Sequence, residues 1–305
     1  MATAEATAPA FTLTQATNAS LWANAWYRLK KDRLTIAAAV MLLTFVVLAL
    51  LADVLAQNLF HKSYTDQDLL NNYEKPTLAD PAYWFGGDEI GRSQIVRLLY
   101  GARVSLAVGF GAAFINLTLG ILVGLSMGYF RGWFDDLMQF VVTTLNAIPG
   151  LYLLLIVAVF FGPSPVALVL ILGSLNWPGN ALYVRGQTLS LRERDFVTAA
   201  RVIGVNSATI MFRHILRNVL PLVFIVSAID VGQIILTESA LSFLGLGIQQ
   251  PLPSWGNMLT HAAQDLSRGP WLVWAPGAAI FVTVLCLYLV GDGLRDALDP
   301  RLKES

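Results

Sequence analysis

Charge is what this sequence has least of. Only 13% of its 305 residues are Asp, Glu, Lys or Arg, about half the share of a soluble domain. By contrast 56% are hydrophobic and the mean hydropathy is +0.61. This excludes a disordered chain and argues against an ordinary soluble enzyme. Twenty basic residues balance twenty acidic ones, so no net positive field points to nucleic acid. Cysteine is nearly absent too: Cys286 alone forms no intrachain disulfide, and with the scattered His61, His214 and His261 it supplies no zinc-type ligand set. No lysine stands in a G-x-x-x-x-G-K-[ST] loop, and H-E-x-x-H is also missing. The expectation is a chain with no covalent chemistry, no metal and no cofactor of its own. Uphill transport would have to draw on an ion gradient or on another chain.

Long uncharged runs are what it has in plenty. A bilayer core of about 30 Å takes about 20 apolar residues at 1.5 Å each. Residues 34–52, 104–130, 137–184 and 269–291 carry no charge. The third run is long enough for two spans, and Gly162-Pro163-Ser164-Pro165 sits where a reversal is needed. Residues 219–241 are apolar except for Asp230 and Glu238. Six spans are expected. The first reads as a retained anchor, because its run is longer than a signal-peptide core and follows Arg28, Lys30, Lys31 and Arg33.

With six spans both termini share a side, which then holds fourteen of the twenty Lys and Arg. Cytoplasmic loops are rich in these residues, so the termini are expected in the cytoplasm. The chain divides into a tail with an interfacial helix (1–33), a first span (34–56), an external loop (57–101), a five-helix membrane domain (102–296) with an internal loop at 185–220, and a tail (297–305). In the first tail, Trp22, Trp26 and Leu29 recur at helical spacing beside basic residues, as in a helix lying on a membrane surface.

The internal loop is the most informative. Its spacing predicts a short helix from Asp195 to Ile203 with Phe196, Ala199, Ala200 and Ile203 on one stripe, stopped by Gly204. Asn206 or Ser207 then caps a second helix, with Ile210, Met211, Phe212, Ile215 and Leu216, that reaches Pro221 before the next span. The unit resembles a DNA-binding helix-turn-helix. A 36-residue loop tethered at both ends to a membrane cannot easily enter a groove, so a docking surface for a cytoplasmic protein fits better. Ala112, Asn116, Gly120, Gly124 and Gly128 recur every four residues, the spacing of close helix packing in lipid. Asn116, Asn146 and Asn176 either line a pathway or bond neighbouring helices. A mid-bilayer carboxylate costs about 2.5–3.5 kcal/mol. Asp230 and Glu238, eight apart, therefore either border one aqueous path or, for Glu238, sit at the outer interface.

Thr198-Ala199-Ala200-Arg201-Val202-Ile203-Gly204, with Phe212-Arg213-His214-Ile215-Leu216 and Asn218-Val219-Leu220-Pro221, resembles the "EAA" loop of ABC-importer permeases, and more narrowly of dipeptide and oligopeptide importers. Phe85 to Arg92, Leu99 to Leu106, Leu241 to Gly247, Pro253-Ser254-Trp255-Gly256 and Gly291 to Pro300 resemble the same family in the same order. Thr198 stands where the family has Glu, and Arg217 where that subfamily often has Pro. The resemblance implies an all-α, six-helix type I permease with a cytoplasmic coupling helix. It implies a second homologous permease, two ABC ATPase subunits that hold ATP and Mg, and an extracytoplasmic peptide-binding protein, in the inner membrane of a prokaryote. By the same analogy Thr198, Ala199, Ala200, Gly204, Ile210, Phe212, Arg213 and His214 contact the ATPase. Asn146, Asn176, Asp230 and Glu238, polar groups within the spans, are the candidates for the substrate path, and Asp88, Arg92 and Trp255 are those for contact with the binding protein. A nickel or nickel-chelate permease and a proton-coupled secondary transporter are the alternatives.

Overall fold

A computed structural model describes residues 21–162, 164–260 and 266–298. Pro163 of the expected reversal, His261, the first twenty residues and the tail beyond residue 298 lie outside them. Among the described residues the fold is helical, without a β-strand. Helix α1 (Leu21–Leu29) leads through a short turn into α2 (Arg33–Leu50), whose first turn is capped by the Asp32 carboxylate accepting from the Leu34 and Thr35 amides at 3.0 and 3.3 Å. The run continues as α3 (Ala52–Leu55) and a π-helical turn (Ala56–Phe60), closed by His61 in a left-handed conformation.

Helix α4 (Gln94–Phe130) is capped by the Ser93 hydroxyl and begins inside the segment expected to be an external loop. The reason is that its early charges have partners. Arg103 pairs with Asp53 at 2.9 Å and its Nε donates to the Ala49 carbonyl, also at 2.9 Å, while Arg97 is buried near Asp88. Arg131 and Gly132, both at positive φ, turn the chain into α5 (Trp133–Ala147). Helix α6 (Gly150–Phe161) follows at an 89° bend, where Pro149 removes a donor. Then come α7 (Pro165–Leu175) and α8 (Trp177–Arg192), broken at Asn176.

Helix α9 (Asp195–Val202) ends at Gly204, and the Asn206 side chain accepts from the Thr209 amide at 2.7 Å to start α10 (Ser207–Thr209). A π-helical turn (Ile210–Ile215) carries this directly into α11 (Leu216–Phe243). Pro221, the expected entry into the next span, lies inside α11. Helix α12 (Trp271–Leu298) closes the fold. Among the described residues five helical runs are long and apolar enough to cross a membrane, and the bent α5–α6 pair, counted as one span, brings the number to six.

Alternating direction gives the bundle two ends. One holds α1, α9 and the end of α12; the other holds the loops 61–93 and 244–260. Helix α4 is the axle, flanked by α2, α7, α8 and α11, while α12 joins α11 to α1 and α2. The four-residue ladder of small side chains makes this possible. A Cβ added at Gly120 or Gly128 would stand 2.6 Å from the Cβ of Asn180 or Thr188 on α8, so only glycine lets the two backbones meet.

Candidate functional site

The loop between α8 and α11 has an inner and an outer face. Val197 and Ala200 are buried against Leu125 and Tyr129 at the end of α4, Val184 of α8, and Ile210 and Ile215 of the π turn. The Arg192 and Arg201 guanidiniums each lie 5.9 Å from the centre of the Tyr129 ring, and the Tyr129 hydroxyl meets Ser207 at 3.3 Å. Outside, Val202 is 81% exposed, Ile203 78%, Phe212 47% and Phe196 42%. That is an apolar rim without a partner among the described residues, and soluble surfaces rarely leave such a cluster open without a binding role. Of the eight residues expected to contact an ATPase, Thr198, Ala199, Gly204, Phe212 and Arg213 are exposed and His214 half-buried. Ala200 and Ile210 are instead interior, so the expected single stripe is corrected. Adjacent helical positions are about 100° apart, and Ala200 turns inward where Ala199 turns out. Gly204 has φ +80° and open space where a side chain would project.

A second constellation lies within the spans. The Asp230 Oδ2 of α11 accepts from the amides of Asn180 on α8 at 2.5 Å and Asn116 on α4 at 3.2 Å, and the Asn180 amide also reaches the Asn116 Oδ1 at 3.1 Å. Three helices are thereby tied by one polar knot. Asp230 is half-buried, and the open face of α11 continues through Gln233 and Thr237 at helical spacing. The open face of α8 carries Asn176, Gly179, Tyr183 and Gly186. An exposed polar row on a membrane span belongs against protein or water and not lipid. Asn176 and Asn146 are exposed and neither joins the knot; the Asn176 amide bonds the Leu172 carbonyl of its own helix at 2.7 Å. Sequence reasoning missed Gln233, Thr237 and Tyr183 because they carry no charge. Their spacing from Asp230 and Asn176 was the available signal.

Glu238 differs: it has no exposed surface. Its carboxylate accepts from the Ser105 hydroxyl of α4 at 3.0 Å and from Ser242 at 2.7 Å. Those hydroxyls in turn accept the Trp255 amide at 3.2 Å and the Ile248 amide at 3.0 Å. It holds the 244–260 segment onto α4 and faces neither path nor interface within this chain.

Residues 120–304 match the family described as "Binding-protein-dependent transport system inner membrane component", and residues 20–76 match "N-terminal TM domain of oligopeptide transport permease C". The chain is 37% identical to the dipeptide transport system permease protein of Alkalihalophilus pseudofirmus, over 95% of this chain and 93% of that one. It is 37% identical to the glutathione permease protein of Pectobacterium atrosepticum, over 92% of each. With the oligopeptide permease protein of Haemophilus influenzae it shares 38% over 92% of this chain and 89% of that one. The chain belongs to this binding-protein-dependent permease family. As an ABC-importer permease it works with ATPase and binding-protein partners.

At the end of the permease opposite α9, Asp88, Arg92 and Trp255 are buried, so these side chains offer no surface to a binding protein. The expectation for them is corrected by their partners. Asp88 Oδ1 accepts from the amides of Ile90 and Arg92, its Oδ2 lies 2.6 Å from the Arg92 Nε, and the other Arg92 nitrogens reach Gln250 and Glu89 at 2.9 and 3.1 Å. The Trp255 indole donates to the Leu98 carbonyl at 3.1 Å. A charged residue with a distant partner reads in sequence like a surface residue. Among the exposed residues of the cap are two leucines, Leu70 at 95% and Leu78 at 90% accessible, beside the exposed charges of Asp66, Lys75 and Asp80. Beneath them Lys62 donates to the Tyr83 hydroxyl at 2.7 Å and pairs with Asp68 at 3.3 Å. The Asn71 amide and then the Lys62 ammonium hold the Asp68 carboxyl below its ordinary range.

Proposed function

We propose that this permease imports di- and oligopeptides, pairing with a second, homologous permease and with two ATPase subunits that bind ATP and Mg. In this reading the end with α1, α9 and the C-terminus of α12 is cytoplasmic, and a peptide-binding protein docks at the cap on the far side, against Leu70 and Leu78. The observation that carries the coupling role is the two-faced loop. Phe196, Ala199, Ile203, Gly204 and Phe212 face outward for an ATPase groove, with Thr198, Arg213 and His214 beside them, while Val197, Ala200 and Ile210 fuse the same loop to α4 and α8.

A push on the loop then has two rigid routes. One runs through Tyr129 into α4, the other along the unbroken helix from residue 207 to 243. The Asp230 knot joins the helices that these routes would move, so ATP binding elsewhere biases a two-state bundle. Asn146, Asn176, Asp230, Gln233, Thr237 and Tyr183 line the path in this reading. The test is purification through a tag on this chain, followed by reconstitution into vesicles. ATPase subunits are expected to co-purify, and labelled peptides to accumulate only with ATP and the binding protein. Nickel accumulation without peptide accumulation would overturn the substrate assignment, and uptake driven by a pH gradient without ATP would overturn the coupling assignment.

A further inference from the structure

At the α1 end of the bundle a furrow of about 370 Å³ runs between α1, α2 and α12, walled by Leu29, Ile36, Val40, Leu43, Val290 and Leu294. Ile36, Val40 and Leu43 are 40, 56 and 62% exposed, on a helix that spans the membrane. The polar atoms at its mouth are few. Thr35 is spoken for, since its hydroxyl bonds the Asp32 carboxylate and the Leu289 carbonyl. Lys30 lines the furrow itself, its ammonium 5.3 Å from the centre of the exposed Trp26 ring, and the Lys31 ammonium sits 4.3 Å over Tyr27. Among the described residues no carboxylate lies within 4 Å of either lysine.

Charge at this end favours an anion. Arg28, Lys30, Lys31, Arg33 and Arg295 outnumber Asp32, Asp292 and Asp296, and the Arg28 guanidinium donates to the Asp296 carbonyl at 3.5 Å. Of the three carboxylates, Asp32 is turned into the first turn of α2. An apolar slot at membrane depth with the Lys30 ammonium and the Trp26 ring in its wall, and the Lys31 ammonium one residue on, matches a molecule with an acyl chain and an anionic head. We infer that the furrow between α1, α2 and α12 is a binding site for one anionic phospholipid, its acyl chain against Val40 and Leu43 and its phosphate on Lys30 and Lys31. The lipid would fix α1 against the bundle at the end that carries the coupling loop.

The test uses the intact complex in detergent, titrated with phosphatidylglycerol or phosphatidylcholine of identical chains, with bound lipid counted by native mass spectrometry. The wild type is expected to retain phosphatidylglycerol with at least about a tenfold preference, and the Lys30→Glu/Lys31→Glu variant to show none. Ala39→Trp, which fills the slot from an exposed position and leaves the charges intact, is expected to lower retention of both lipids. Equal retention by the wild type, a preference that survives charge reversal, undiminished retention by Ala39→Trp, or displacement by millimolar inorganic phosphate would each overturn the inference.

Discussion

Gly204→Trp is expected to abolish coupled transport: vesicles that hydrolyse ATP should lose peptide uptake by about a hundredfold or more, the scale of losing an interface hot spot. The residue sits at φ +80° on the exposed loop, and no atom lies within 4 Å of where its side chain would start. Tryptophan would therefore project away from the permease, into the space assigned to the ATPase. A left-handed backbone costs any L-residue about 1–2 kcal/mol. Gly204→Ala carries that same penalty without the bulk, so it separates local strain from blocked docking. The alanine variant is expected to keep most of its uptake. Equal uptake by the two variants would place the partner elsewhere.

The second large effect concerns stability. Glu238→Leu is expected to destabilise the permease by about 3–5 kcal/mol, the scale of leaving two or three buried hydroxyls without their acceptor at about 1–3 kcal/mol each. The hydroxyls of Ser105, Ser239 and Ser242 would lose their acceptor in a site closed to water, and the Trp255 and Ile248 amides would be left on misoriented hydroxyls. Glu238→Gln keeps the shape and one acceptor oxygen, and serine hydroxyls can rotate to accept from its amide. It should cost about 1 kcal/mol, near one hydrogen bond. Thermal unfolding of the detergent-solubilised complex, with protease sensitivity of the 244–260 segment, reads both. Unfolding of Glu238→Leu at the wild-type temperature would mean that the carboxylate is not what pins that segment.

The spans were legible because hydrophobic runs and glycine spacing are local. Gly120, Gly124 and Gly128 meet α8 as a four-residue ladder must, and the two-helix loop with Gly204 at its corner follows from cap and stop residues. What stayed hidden depends on distant partners. Nothing near Glu238 in the sequence announces Ser105, nothing near Arg92 announces Gln250, and so buried groups read as path or surface. The π turn at Ile210–Ile215 hid the continuity of the helix through Pro221, since a proline ordinarily marks a boundary. Which face of α9 turns inward was likewise set by Tyr129, far away on α4.

The central claim is that the α8–α11 loop presents its outer face to a cytoplasmic ATPase. Cysteine accessibility tests it most directly, because the single native thiol, Cys286, is only 7% exposed and can be replaced by serine. With Ala199→Cys in that background, a membrane-impermeant maleimide should label inside-out vesicles alone, and the docked ATPase should protect the thiol. Labelling from right-side-out vesicles, or labelling indifferent to the ATPase, would contradict the account.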